Sequence, residues 1–170
     1  DYNGLYSNAD IKRAWDHYCD GSGTDWTADF SSINWGGVRE RIEAQVKSLV
    51  GGSCSDRVVN VDFNIGAQTA GADEFIIGRH VIRVVGAINV GCACDWNFKG
   101  HFFSALGHDP YDFDASNRGW KGEALTFVGR NRCPIKGKPF NIKIQGSEEI
   151  SVSGRIPGTQ NCMCSAGNYK

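Results

Sequence analysis

Residues 79–90 read RHVIRVVGAINV, and residues 96–105 read WNFKGHFFSA. In the first segment, apolar side chains from Ile82 to Val90 share one face with His80, and Arg83 takes the other face. Because successive side chains of a strand point to opposite sides, this period of two predicts a β-strand. The second segment follows a short turn and predicts its antiparallel partner. The central part of the chain is therefore expected to form a sheet.

The flanking segments extend this sheet and add helices. Residues 59–65 alternate apolar and polar side chains, and two more strands are expected near 140–144 and 149–152. Apolar positions recur with helical spacing at 11–19 and again at 36–50, where Gly51 and Gly52 predict the helix end. The intervening residues 20–35 are expected to form a loop.

These elements predict an α+β fold with a curved, half-barrel-like antiparallel sheet and an N-terminal helical lobe. A length of 170 residues suits one domain, 1–170, with a helical lobe at 1–52, a β-rich core at 53–154 and a tail at 155–170. A composition of 41% hydrophobic and 22% charged residues excludes disordered and collagen-like chains. No apolar stretch approaches the roughly 18 residues that cross a bilayer, so no transmembrane segment is expected.

Seven cysteines in a chain of this length favour a secreted, extracellular protein with three disulfides and one cysteine left over. The start at Asp1, without an apolar leader, fits a mature product from which a signal peptide was removed. Buried free thiols are one alternative, and a zinc site built from two Cys-x-Cys pairs is another. The candidates are Cys19, Cys54, Cys92, Cys94, Cys133, Cys162 and Cys164.

For the pairing, we expect Cys19 to bond with Cys54, and the other five cysteines to supply two further bridges. The alternation of the long strand continues through Cys92 and Cys94, which predicts both on one face of that strand. The tail at 155–170 has little periodicity. Its expected anchor is a bridge from one of its own cysteines back to that strand.

Charge is segregated along the chain although the net charge is only −1. Residues 1–34 are rich in aspartate, whereas residues 117–143 carry seven basic residues against Glu123 alone. Such a local excess of positive charge can attract phosphate groups, but taken by itself the pattern favours an ordinary solvated surface. No nucleic-acid partner is expected, because neither an aromatic RNA-binding motif nor a recognition helix accompanies the basic stretch.

One polar segment can carry chemistry, namely residues 107–120, GHDPYDFDASNRGW. The common signatures of serine hydrolases, P-loop proteins, zinc peptidases and dinucleotide-binding proteins are missing from the sequence. Asp109 and Asp112 are carboxylates suited to a hard divalent cation or to orienting a water molecule. Arg118 and Lys121 suit a phosphate. An aspartate-rich surface turn paired with Arg118 is the alternative interpretation.

Residues 76–154 resemble the activity domain of the colicin M family of lipid II-degrading bacteriocins. The family motif is Asp-x-Tyr-Asp, a spacer and then His-Arg, followed by Gly-x-x-Gly-Glu-x-Leu-Thr. The positions of this sequence that match it are Asp109, Tyr111, Asp112, Arg118, Gly119, Gly122, Glu123, Leu125 and Thr126.

The sequence departs from the family at one position of the motif. The spacer is one residue shorter, and Asn117 stands where the family has its catalytic histidine. An amide does not exchange protons near neutral pH, so another group must act if catalysis is retained. His108 and His101 are the candidate substitutes.

The resemblance implies a secreted antibacterial toxin that blocks peptidoglycan synthesis. Its reaction would be Mg²⁺-dependent hydrolysis of the phosphoester that joins undecaprenol to the pyrophosphate of lipid II. The implied catalytic residues are Asp109, Tyr111, Asp112 and Arg118. Asp109 and Asp112 would bind Mg²⁺ or activate water, Arg118 and Lys121 would bind the substrate phosphates, and Tyr111 would contact a phosphate oxygen or position Asp112.

The protein is expected to act as a monomer on a lipid-linked anionic substrate at a membrane surface. Since the family histidine is missing, a second interpretation stays open. In that case the chain is a non-catalytic effector, elicitor or binding protein with the same fold, acting on a host or competitor cell.

Overall fold

A computed structural model describes residues 4–111, 133, 137–157 and 164. The elements of these residues, in chain order, are α1 (Asn8–Asp20), β1 (Trp26–Asp29), a 3₁₀ turn (Phe30–Ser32), α2 (Val38–Val50), β2 (Arg57–Gln68), α3 (Asp73–Ile76), β3 (Arg79–Val90), β4 (Asp95–Ser104), β5 (His108–Tyr111), β6 (Phe140–Gln145) and β7 (Ser147–Arg155). The predicted α+β class is confirmed. Within the described residues, no helix has the length and apolar character needed to cross a bilayer.

The chain divides into two units. The first comprises Asp1–Gly36, Gly66–Ile82 and Phe103–Ser147, and the second comprises Gly37–Ile65, Arg83–Phe102 and Glu148–Lys170. The described strands form two sheets, with the orders β1-β6-β5 and β2-β3-β4-β7.

The two longer helices begin and end at identifiable signals. Helix α1 starts at Ser7, which forms a capping box with Asp10, and it ends at Gly21 with a φ of 75°. Helix α2 buries every fourth side chain from Val38 to Val50 and ends at Gly51, as predicted.

Strand β3 has the predicted alternation. Its even-numbered positions from His80 to Val84 are buried, and so are Ile88 and Val90. The strand ends at Val90, however, and Cys94 lies in the following turn with a φ of 74°. The prediction that the strand continues through both cysteines of the Cys-x-Cys pair was therefore wrong.

The sheet β1-β6-β5 lies in the first unit. Strands β1 and β6 pair in parallel with Trp26 opposite Ile142, whereas β5 and β6 pair antiparallel with Asp109 opposite Ile142. Strand β1 falls within residues 20–35, which the sequence pattern had predicted as a loop. The polar composition of this segment does not predict a strand, because β1 is formed by its hydrogen bonds with β6.

A buried carboxylate, that of Asp73, connects distant parts of the first unit. Asp73 is fully buried, and its Oδ2 accepts hydrogen bonds from the backbone N–H groups of Leu5 (3.1 Å) and Asn34 (2.7 Å). Its Oδ1 accepts one from Tyr6 (2.8 Å). A Cβ atom on Gly4 would overlap this carboxylate, so glycine is required at that position. Two segments that are distant in sequence, residues 5–6 and Asn34, are thus held on one side chain.

Three disulfides are present in the described residues, and they connect Cys19 with Cys133, Cys54 with Cys94, and Cys92 with Cys164. Disulfide bonding is confirmed, but the predicted Cys19–Cys54 bond was wrong. The end of α1 lies against residues 137–138 instead, where the Lys138 N–H donates to the Tyr18 carbonyl (2.8 Å). The Cys92–Cys164 bond provides the predicted anchor for the tail, and Cys162 lies outside the described residues.

Replacing Asp73 by asparagine should lower the free energy of unfolding by about 2–4 kcal/mol. The amide retains only one oxygen acceptor and turns its N–H groups toward a backbone donor. Urea denaturation of D73N measures the change. The exposed Asp16, which pairs with Lys12, provides the matched control D16N, expected within about 0.5 kcal/mol of wild type. Equal stability of the two variants would contradict the anchoring role of Asp73.

The C19S/C133S double variant should lose about 2–5 kcal/mol of stability, because this bond closes a sequence separation of 114 residues. Chemical denaturation of both proteins measures the loss. Peptide mapping without reduction should independently recover the three bonds described above. Recovery of a Cys19–Cys54 peptide would contradict this connectivity.

Candidate active site

Asp109 and Tyr111 of the motif lie on the same face of strand β5. The burial of β5 alternates, so Asp109 and Tyr111 are buried while His108 and Pro110 are exposed. A spacing of two in an extended strand gives this result directly. The edge of the sheet accommodates Pro110, which has no N–H to donate. The Asp-x-Tyr spacing therefore puts a carboxylate and a phenol side by side.

Tyr111 is packed in an aromatic cluster of the first unit. Its ring stacks on Phe140 of β6 at a centroid distance of 4.9 Å and meets the edge of Tyr18 at 5.9 Å. Trp26 and His17 also contact Phe140, at 5.2 and 4.4 Å. Only 1% of Tyr111 is exposed, so the ring is an internal support of β5. Its predicted contact with a phosphate oxygen stays a prediction.

Asp109 is adjacent to a buried histidine that the sequence analysis did not propose for the site. His80 Nδ1 lies 3.8 Å from Asp109 Oδ1, and the His80 side chain is 3% exposed. The other ring nitrogen, Nε2, lies 2.6 Å from Ser104 Oγ. Trp35 packs near the imidazole with a ring distance of 5.7 Å. The sequence signal for His80 was its position on the apolar face of β3.

Ser104, His80 and Asp109 are arranged in space in the same order as the residues of a serine hydrolase triad. The surroundings of the serine differ, however. Ser104 is buried, and its Oγ accepts a hydrogen bond from the Gly107 N–H (2.9 Å). A nucleophilic serine must be accessible to substrate. Ser104 is therefore interpreted as a structural partner of His80.

The two proposed substitutes for the family histidine, His108 and His101, are both exposed. His108 is exposed on the opposite face of β5 from Asp109, with Nδ1 3.2 Å from the Leu106 carbonyl. His101 is exposed and belongs to the second unit. The remaining site residues of the sequence analysis, Asp112, Asn117, Arg118 and Lys121, lie outside the described residues.

Tyr6 is a second buried tyrosine of this unit. Burial raises the pKa of Tyr6, and the carboxylates of Asp73, Asp10 and Asp109 raise it further, against a smaller lowering by Arg13. The described residues contain no hydrogen-bond partner for this hydroxyl. Tyr6 consequently stays protonated at neutral pH and can only donate or accept as a neutral phenol.

Asp109 fits Mg²⁺ better than a softer metal. Mg²⁺ is bound by one or two carboxylates and takes its other ligands from water and substrate phosphates. The part of the chain described here contains no cluster of three or more histidine, cysteine or acidic side chains that could enclose a metal. The zinc alternative fails at Cys92 and Cys94, because both sulfur atoms are in disulfides.

The comparison with known proteins rests on structure. No protein-family model and no curated protein matches the chain. Pectocin M2 superimposes with a TM-score of 0.67 at 22% identity, over 89% of this chain and 56% of that protein. The chain has the fold of the colicin M-like bacteriocins. The resemblance inferred from the motif residues is thereby confirmed at the level of fold.

Two further structures of this group match to the same degree. Truncated syringacin M from Pseudomonas syringae pv. tomato DC3000 has a TM-score of 0.64 at 23% identity, over 90% of this chain and 62% of that one. PaeM from Pseudomonas aeruginosa, a colicin M-like bacteriocin, has 0.67 at 23%, over 85% and 50%. The chain thus spans between half and two thirds of these proteins. The similarity to these structures concerns the fold, and the disulfides fit an extracellular protein.

Truncating Tyr111 should destabilise the first unit, because the ring is fully buried against Phe140. We expect Y111A to lose about 3–5 kcal/mol in urea denaturation. The matched variant Y111F retains the ring and should stay within about 1.5 kcal/mol of wild type. An alanine variant as stable as the phenylalanine variant would contradict the supporting role of the ring.

Proposed function

We propose that this protein is a secreted antibacterial toxin that hydrolyses the phosphoester between undecaprenol and the pyrophosphate of lipid II. The observation that carries the proposal is the placement of Asp109 and Tyr111 of the Asp-x-Tyr motif on one face of β5 within a colicin M-like fold. This motif is the part of the sequence that resembles the family's catalytic residues. Attack on a phosphoester needs a carboxylate to orient water or a cation, together with positive charge on the phosphates.

Each residue receives a role consistent with its chemistry. Asp109, with Asp112, would hold Mg²⁺, which supplies charge neutralisation on the pyrophosphate when bound. Arg118 would form bidentate hydrogen bonds with the phosphate oxygens, and Lys121 would add attraction for the anionic head group. Tyr111 would keep Asp109 in place through the packing of β5. The protein would act as a monomer at a membrane surface.

A non-catalytic effector with the same fold is the second candidate. The observation that favours it is Asn117, which occupies the place of the family histidine in the sequence. In that case the protein would bind a lipid-linked anionic ligand or a target cell without turnover.

Incubation of the purified protein with lipid II and Mg²⁺ tests the proposal. We expect release of undecaprenol and the pyrophosphorylated disaccharide-peptide, and a rate about 100-fold or more lower for D109N. Chelation with EDTA should abolish release, and added Mg²⁺ should restore it. The exposed Asp95, in the second unit, provides the control variant D95N, which should retain the wild-type rate.

Two results separate the candidates. Release by wild type that D109N does not reduce would contradict the catalytic assignment of Asp109. Binding of lipid II with no release by wild type would overturn the hydrolase and support the effector.

A further inference from the structure

A short polar chain inside the first unit ends at the candidate catalytic carboxylate. It runs from the Gly107 N–H to Ser104 Oγ (2.9 Å), from Ser104 Oγ to His80 Nε2 (2.6 Å), and from His80 Nδ1 to Asp109 Oδ1 (3.8 Å). Its members come from the start of β3, the end of β4 and the turn and strand that follow. The roles assigned to the motif residues leave this chain unused.

The hydrogen bonds assign the tautomer of His80. Ser104 Oγ already accepts from Gly107, and its own hydrogen is satisfied if it donates to His80 Nε2. A carboxylate can only accept, so an unprotonated Nδ1 would face the oxygen of Asp109 lone pair to lone pair. The arrangement that satisfies all three groups places the imidazole proton on Nδ1, directed at Asp109.

We propose that His80 is a positioning residue for Asp109 and that Ser104 holds its imidazole in the tautomer this role requires. The side chain of His80 is 3% exposed, so it acts through Asp109 and does not meet the substrate. At 3.8 Å the Nδ1–H attracts the carboxylate oxygen electrostatically, beyond hydrogen-bonding distance. In a buried setting this attraction is weakly screened and favours one orientation of the carboxylate. Trp35 packs near the imidazole and limits its rotation.

The positioning role of His80 has a consequence for the affinity of the site for Mg²⁺. Groups that orient a ligating side chain typically change metal affinity or activity by about 10–100-fold when removed. Asp109 is the carboxylate that His80 faces, so removing the Nδ1–H should weaken binding of Mg²⁺. This consequence rests on the proposed function, whereas the tautomer and the orientation of Asp109 do not.

Nitrogen NMR of the histidine side chains tests the tautomer without metal or lipid. Long-range proton–nitrogen correlation spectra of ¹⁵N-labelled protein, compared with those of H80N, identify the signals of His80. We expect the imidazole proton on Nδ1 in wild type and redistribution between the two ring nitrogens in S104A. A wild-type imidazole protonated at Nε2 would overturn the proposal, whatever the protein does to lipid II.

Two variants of His80 separate positioning from packing. In H80N the amide nitrogen takes the place of Nδ1 and can still face Asp109, but contact with Ser104 is lost. In H80Q the amide takes the place of Nε2 and can still reach Ser104, but contact with Asp109 is lost. Positioning predicts Mg²⁺ affinity within about 3-fold of wild type for H80N and about 10-fold weaker for H80Q, measured by calorimetry.

The same pair is assayed with lipid II, where kcat should fall in the order wild type, H80N, H80Q at an unchanged KM. Thermal unfolding of each variant confirms that it folds. Mg²⁺ binding in this order without lipid II hydrolysis would support positioning and reject the proposed reaction. The reverse order, with H80Q the better variant, would show that His80 serves packing and would overturn positioning. No Mg²⁺ binding by folded wild type would overturn the metal-binding role of Asp109, and the NMR result then decides the positioning role of His80.

Discussion

The folding of the first unit depends on the hydrogen bonds that compensate the buried charge of Asp73. A carboxylate removed from water costs several kcal/mol unless it is hydrogen-bonded, and here backbone amides of Leu5, Tyr6 and Asn34 provide the compensation. None of these amides comes from the neighbourhood of Asp73 in sequence. These hydrogen bonds therefore form when the segment before α1 and the segment before α2 have both closed onto α3. Folding of this unit is made cooperative by one side chain.

This constraint extends to the candidate site. The backbone carbonyl of Asp73 accepts from Ile77 and Gly78, directly before β3, whose second residue is His80. The amide at position 34 precedes Trp35, which packs near the imidazole of His80. Asp73 thus fixes the start of the strand that carries His80 and the residue that packs beside it. The precision of a charged site depends on such supports, because an unsupported carboxylate rotates freely.

Local patterns in the sequence predicted the elements whose stability is local. The spacing of Val38, Ile42 and Val46 predicts α2, and the alternation around Ile82 predicts β3, since both encode a buried face directly. Strand β1 was missed because its hydrogen bonds come from β6, more than a hundred residues away. The predicted Cys19–Cys54 bond was wrong for the same reason, because the identity of a cysteine's partner depends on proximity in space.

The sequence predicted which residue types form the candidate site, but it predicted their arrangement in space only in part. Resemblance to the colicin M family selected Asp109 and Tyr111, but Pro110 between them concealed the strand that puts both on one face. His80 was visible on the buried face of β3. An alternating apolar pattern does not show which side chains of other elements lie against it. The proximity of His80 to Asp109 could therefore be seen only in the folded structure.

The bond between Cys19 and Cys133 makes the folded state dependent on the compartment. Along the chain, Cys133 follows the motif that begins at Asp109, and it is tied covalently to the end of α1. Under reducing conditions this covalent attachment is absent. An oxidising environment supplies it. The same sequence is therefore less stable against unfolding in a reducing compartment than in an oxidising one.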